Sequence, residues 1–182
     1  ALYQYEGGNN GKQKESLYNF ASKKSFDIEG LGPKIIDKLL EEGLVMQAPD
    51  IFDLKKEDLE VLERFGEKSA NNIIESIQKS KEITLPRFIF ALGIRHVGEE
   101  TSISLSEYFG NVEKLRSAKK EDLRNIPDVG EKVSESIFKW FQSKENQKFV
   151  DDLIGKGIKI SKMETFGKAL NGKTFIITGT LN

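Results

Sequence analysis

The apolar positions of this chain group into a phrase that recurs four times: Ile28-Glu29-Gly30-Leu31-Gly32, Leu62-Glu63-Arg64-Phe65-Gly66, Ile94-Arg95-His96-Val97-Gly98 and Ile126-Pro127-Asp128-Val129-Gly130, with starts 34, 32 and 32 residues apart. Each copy sets an apolar residue four before a glycine, a second one just before it, and a helix-like apolar pattern after it. Eleven residues past each start stands an aliphatic side chain, Leu39, Ile73, Leu105 or Ile137. That spacing predicts a helix after each phrase with this residue on its buried face. The glycine where the helix begins predicts a tight turn that needs a positive φ or a close backbone approach.

An apolar-x-Gly-apolar-Gly turn between two short helices is the signature of a helix-hairpin-helix motif. The first copy has both glycines, and the others replace the first of them with Arg64, His96 and Asp128. A longer identity shows how the copies are organised: Lys55-Lys56-Glu57-Asp58-Leu59 returns as Lys119-Lys120-Glu121-Asp122-Leu123, 64 residues later. Hairpins one and two form one unit, and hairpins three and four a second. The expected fold is all-α, four tandem helix-hairpin-helix motifs in two duplicated pairs, followed by a short β tail.

Residues 1–13, with Gly7, Gly8, Asn9, Asn10 and Gly11, read as a tail or linker. A helical domain is expected over 14–157, with hairpins near 28–36, 62–70, 94–102 and 126–134. Its first helix runs from about Lys14 to Ser22. Pro33 suits the first position of the next, and Gly43 suits its end. Further helices are expected over Lys56–Leu62, Glu67–Lys81, from Pro86 into the third hairpin, Glu99–Phe109, Val112–Ala118, Lys120–Ile126, Glu131–Phe141 and 145–155. Residues 158–182 read as a linker and a β-branched strand, although Ile158-Lys159-Ile160 also alternates like a strand.

Composition narrows the functional classes. Formal net charge is −1 and the isoelectric point is near 6.1, so any affinity for phosphate has to come from local geometry and a few placed cations. With no cysteine and one histidine, thiolate chemistry is excluded and little remains for a metal. No apolar run reaches the ~18 residues of a membrane span, and a cytoplasmic location is the default. No P-loop, Lys-x-Asp-Gly motif or Ser/His/Asp set is present, so no residue is assigned a catalytic role and no metal ligand is named.

The chemistry that the pattern does offer is anion binding. Each hairpin places the unpaired N–H groups of a helix N-terminus beside a glycine that lets a ligand reach the backbone, and the helix dipole favours a phosphate there. The candidate DNA-binding residues are therefore Gly30, Gly32, Lys34, Arg64, Gly66, Lys68, Arg95, His96, Gly98, Gly130 and Lys132. Lys34, Lys68 and Lys132 occupy one slot, two past the second glycine, whereas the third copy has Glu99-Glu100 there and either leans on Arg95 and His96 or contributes less. Trp140, between apolar neighbours, reads as core. The two Lys-Lys-Glu-Asp-Leu runs read as solvated faces.

Three segments resemble the C-terminal part of the bacterial NAD-dependent DNA ligases: Ile28 to Gly32 with Lys34-Ile35-Ile36, Arg64 to Asn72, and Arg87-Phe88-Ile89-Phe90-Ala91-Leu92-Gly93-Ile94-Arg95-His96-Val97-Gly98. The resemblance covers roughly residues 14 to 182. It implies a domain that grips nicked double-stranded DNA by its phosphates, in an enzyme that uses NAD and Mg to seal nicks in replication and repair. The fragment itself would be inactive, monomeric, near the nucleoid, and in contact with the ligase's other domains. It also implies that Leu170 to Leu181 is the first strand of a truncated BRCT domain. The family has zinc-binding cysteines just before the Lys14-Glu15-Ser16-Leu17 match, but Tyr5 to Lys12 contain none; either a finger has lost its ligands or this ligase lacks the zinc site.

Two other readings fit a hairpin repeat. One is a DNA-binding accessory domain of a repair nuclease, against which the Arg87 to Gly98 match argues. The other is a non-catalytic protein-interaction scaffold, compatible with the near-zero charge.

Overall fold

A computed structural model describes residues 10–62 and 66–162. Over these the chain is a succession of short helices: α1 (Asn10–Ala21), α2 (Pro33–Glu41), a 3-10 helix (Ala48–Asp53), α3 (Lys56–Glu60), α4 (Glu67–Ser80), α5 (Leu85–Ala91), α6 (Glu99–Phe109), α7 (Val112–Arg116), α8 (Lys120–Arg124), α9 (Glu131–Gln142) and α10 (Lys144–Gly155). Strand β1 (Glu82–Thr84) lies between α4 and α5, and strand β2 (Lys159–Ser161) follows α10. The expected all-α fold with a small β addition holds. The BRCT strand expected from Leu170 onward, most of the N-terminal tail, and Arg64 lie outside the described residues.

Local chemistry sets the helix boundaries. Pro33 opens α2 and Gly43 closes it in the left-handed region at φ 68°. The Gly43 N–H donates to Leu40 and the Leu44 N–H to Leu39, the paired bonds of a Schellman turn. The repeated Lys-Lys-Glu-Asp-Leu run has a structural purpose at both places. Asp58 accepts from the Lys55 N–H at 2.8 Å and Asp122 from the Lys119 N–H at 3.2 Å, starting α3 and α8, while Leu59 and Leu123 are fully buried. Ser143 accepts from the Asn146 N–H to start α10.

The core is one continuous cluster. Phe20 stacks on Phe26 with ring centroids 4.2 Å apart, and Phe26 meets Phe88 of α5 edge-on at 6.3 Å. The first hairpin pair and the first helix of the second pair therefore share an interior. Arg87 reinforces that junction by donating from Nη2 to the Lys23 carbonyl at 2.7 Å. Trp140 is buried, and Asn146 donates from Nδ2 to its carbonyl at 2.9 Å.

Two elements take their place through long-range bonding. Helix α1 begins at Asn10, inside the segment read as a tail, despite Gly11. Gln13 donates to the Met46 carbonyl at 2.7 Å, Lys14 pairs with Asp37 at 3.1 Å, and the Tyr18 hydroxyl donates to Asp37. These contacts override the weak helix propensity of the opening residues. Strand β2 falls where Ile158-Lys159-Ile160 alternates, and it pairs in parallel with β1, Glu82 opposite Lys159, Ile83 opposite Ile160 and Thr84 opposite Ser161.

Candidate nucleic-acid interface

Hairpins one, three and four share one turn design, and all four share the same helix start. The N–H of the residue before the second glycine donates to the first residue of the phrase, Leu31 to Ile28 at 3.1 Å, Val97 to Ile94 at 3.0 Å and Val129 to Ile126 at 3.1 Å. The residue between them is left-handed, with φ 83° at Gly30, 67° at His96 and 65° at Asp128. Then the second glycine becomes the N-cap and accepts from four residues on, at Ile36, Ala70, Ser102 and Ser134. Those four residues are buried.

The structure corrects the reason for the constant glycine. Gly32, Gly66, Gly98 and Gly130 have φ of −83°, −84°, −94° and −75° with extended ψ, a conformation open to any residue. A Cβ built on any of them would meet nothing within 4 Å. Neither backbone strain nor internal packing requires glycine there, and a Ser, Thr, Asp or Asn would cap the helix better. The positive φ falls instead at the position the copies vary. Gly30 is the exception in which the fold does demand glycine: its φ is 83° and an added Cβ would stand 2.9 Å from Ile73 Cγ1 on α4.

All described candidates are accessible. Gly30, Gly32, Lys34, Gly66, Lys68, Arg95, His96, Gly98, Gly130 and Lys132 are exposed. The turns are brought together in part: Gly30 seats the first hairpin against α4 of the second, and Lys24, on the approach to the first, pairs at 2.5 Å with Glu99 at the start of α6.

That last pairing belongs to a set that the sequence reading missed. The residue directly after the N-cap glycine is Glu67, Glu99 and Glu131 in copies two to four, and Pro33 in the first. Each glutamate is held by a cation from another element. Lys56 of α3 reaches Glu67 at 2.7 Å, Lys24 reaches Glu99, and Arg124 of α8 bonds Glu131 with Lys120 at 3.9 Å. The hydrogen bond from Lys56 holds the Glu67 carboxyl below the usual carboxylate range, and reciprocally raises Lys56. The signal was the shared Lys56 and Lys120 of the duplicated run, but a pairing across a hairpin has no i,i+4 spacing to reveal it.

At the residue before the phrase, hairpins one and three are alike and differ from two and four. The residue before the phrase is left-handed at Asp27 (φ 52°) and Gly93 (φ 65°), but right-handed at Val61 (φ −75°) and Asn125 (φ −78°). This is the backbone record of a duplicated pair.

The architecture defines a tandem helix-hairpin-helix protein, four motifs in two pairs. Residues 26–79 match the family described as the SAM-like helix-hairpin-helix tandem, and residues 87–150 match the helix-hairpin-helix motif family. The chain is 43% identical over 171 residues to a DNA ligase of Pelotomaculum thermopropionicum, covering 92% of this chain and 25% of the ligase. It is 41% identical over 173 residues to a DNA ligase of Methylacidiphilum infernorum, covering 93% of this chain and 25% of that ligase. The chain spans about a quarter of the length of these relatives, and the family and ligase matches together support a fragment of a DNA ligase.

Proposed function

We propose that this chain holds duplex DNA through its phosphates, without reading sequence, for an NAD-dependent ligase that seals nicks in replication and repair. The observation that carries this reading is the set of four N-cap glycines. Each is exposed, conformationally ordinary and free of internal neighbours, so the missing side chain leaves room for something outside the protein. A phosphate oxygen accepting from N–H groups at the helix start, one of which Pro33 removes from the first hairpin, fits that space and the dipole. Lys34, Lys68 and Lys132 stand two residues further on, where an ammonium closes over the same oxygens.

Backbone contacts of this kind fix register and orientation without reading bases, which suits an enzyme that must act at any nick. NAD and Mg belong, on this reading, to other parts of the enzyme. This chain has no cysteine for a zinc site, and no group of three His, Asp or Glu side chains gathers around a point among the described residues. No step of the sealing reaction is assigned to its residues. No described helix is long and apolar enough to cross a membrane, and the working partner is nicked duplex near the nucleoid, bound by a monomer.

The test is the charge reversal of Lys34→Glu with Lys68→Glu. Duplex affinity should fall by about 1 kcal/mol or more for each charge-assisted hydrogen bond removed, with thermal stability nearly unchanged because both lysines are exposed. Unchanged affinity would favour the protein-scaffold reading instead.

A further inference from the structure

We infer that Glu67, Glu99 and Glu131 act as built-in stand-ins for phosphate, holding a second set of cations beside the hairpins, Lys56, Lys24 and Arg124 with Lys120, distinct from Lys34, Lys68 and Lys132, and so restraining the free protein's affinity for DNA. This inference rests on the DNA-binding reading above and adds a regulation of the same hairpins. A carboxylate at the first helical position is an odd companion for an anion site. It stands in the positive end of the helix dipole, where a bound phosphate would stand. Yet it recurs in three of the four hairpins, next to the glycine each time.

The ion pairs show what these glutamates do in the free protein. They are accessible, with side-chain exposures of 74% for Glu67, 51% for Glu99 and 69% for Glu131. Each nevertheless draws in a cation from a different segment: Lys56 from α3, Lys24 from the stretch after α1, and Arg124 with Lys120 from α8. The pairs hold those cations at the residue that directly follows an N-cap glycine. A duplex phosphate entering a hairpin competes with the glutamate for the same cation and the same helix end. The cations exchange partners on binding, so each exchange yields only the difference between phosphate and carboxylate.

The first hairpin lacks this restraint. Pro33 takes the glutamate's place and Lys34 is exposed beside it, so hairpin one carries no competing carboxylate, although Pro33 also offers no N–H to a phosphate. In the third, Glu99 and Glu100 both stand at the entrance, making it the most restrained. The bland alternative is that first-turn glutamates only stabilise their helices, an ordinary dipole effect.

The two readings give opposite signs. In fluorescence anisotropy with the 182-residue chain and a labelled nicked duplex, Glu67→Gln and Glu131→Gln should each tighten binding, roughly two- to fivefold per site. The slope of log affinity against log salt should steepen by about 0.9 for each cation released to a phosphate. Glu145→Gln is the control for net charge, since Glu145 occupies the first turn of α10, a helix capped by Ser143 and not by a hairpin glycine. Tightening beyond that control, with the steeper slope, supports the stand-in role. Affinity unchanged, weakened, or raised no more than in the control overturns it while leaving DNA binding intact. Absence of binding by the unaltered chain would overturn the reading of the hairpins themselves.

Discussion

Gly30 and Ile73 bind the first hairpin to the second: a Cβ on Gly30 would lie 2.9 Å from Ile73 Cγ1, and Gly30 itself has φ 83°. Gly30→Ala therefore meets two penalties, a left-handed backbone and a clash with a buried branched side chain on a rigid helix. The expected loss is about 1–3 kcal/mol. Urea denaturation of the variant beside the unaltered chain measures it, and an unchanged midpoint would show that the two hairpins are not seated as described.

Gly32 and Gly130 should behave in the opposite way. With extended backbone and open space around an added Cβ, Gly32→Ala and Gly130→Ala should hold stability within about 1 kcal/mol. Their duplex affinity should fall, because the methyl occupies the approach of the phosphate. A parallel loss of stability and binding would mean that these glycines serve the fold.

The Tyr18, Asp37 and Lys14 cluster gives the fold a pH signature. The hydrogen bond to Asp37 pushes the Tyr18 hydroxyl up to about 12 from its ordinary 10.0. Its contribution is complete below pH 10 and is lost as the pH rises from there through about 12. The same bond, with Lys14 assisting, lowers the Asp37 carboxyl from 3.8. That contribution is present above the ordinary value and is lost as the pH falls through the lowered one. Tyr18→Phe should flatten the alkaline limb of a urea-midpoint profile and weaken the acid limb, leaving the part that Lys14 supplies, and Asp37→Asn should flatten both limbs.

Arg87 ties the two halves together through the Lys23 carbonyl and lies 3.9 Å from Asp27. Arg87→Ala should lower stability by about 0.5–1.5 kcal/mol, the net worth of such a bond. A single cooperative transition should persist, because the Phe20, Phe26, Phe52 and Phe88 cluster still joins the halves. Two separate transitions would show that Arg87 alone couples them.

The hairpins were legible because their spacing repeats. Leu39, Ile73, Leu105 and Ile137 are buried at 1%, 2%, 0% and 0% exposure, as one residue per helix predicted. What the sequence concealed is non-local. Glu82-Ile83-Thr84 is too short a run to signal a strand, and its partner lies beyond six helices, α5 to α10. The start of α1 depends on Met46 and Asp37, which no local pattern places beside Gln13 and Tyr18. The constant glycine was legible as a position but not as a conformation: the copies vary at His96 and Asp128, where the left-handed turn falls, and keep glycine where the backbone is ordinary.

Phosphate gripping by amide-lined turns is tested most directly by the salt dependence of duplex affinity, measured by anisotropy on several nicked duplexes of unrelated sequence. The expected result is one affinity for all of them, falling log-linearly with salt at about 0.9 per phosphate for ~4 to 8 phosphates. An affinity that ignores salt, or that follows base sequence, would contradict it.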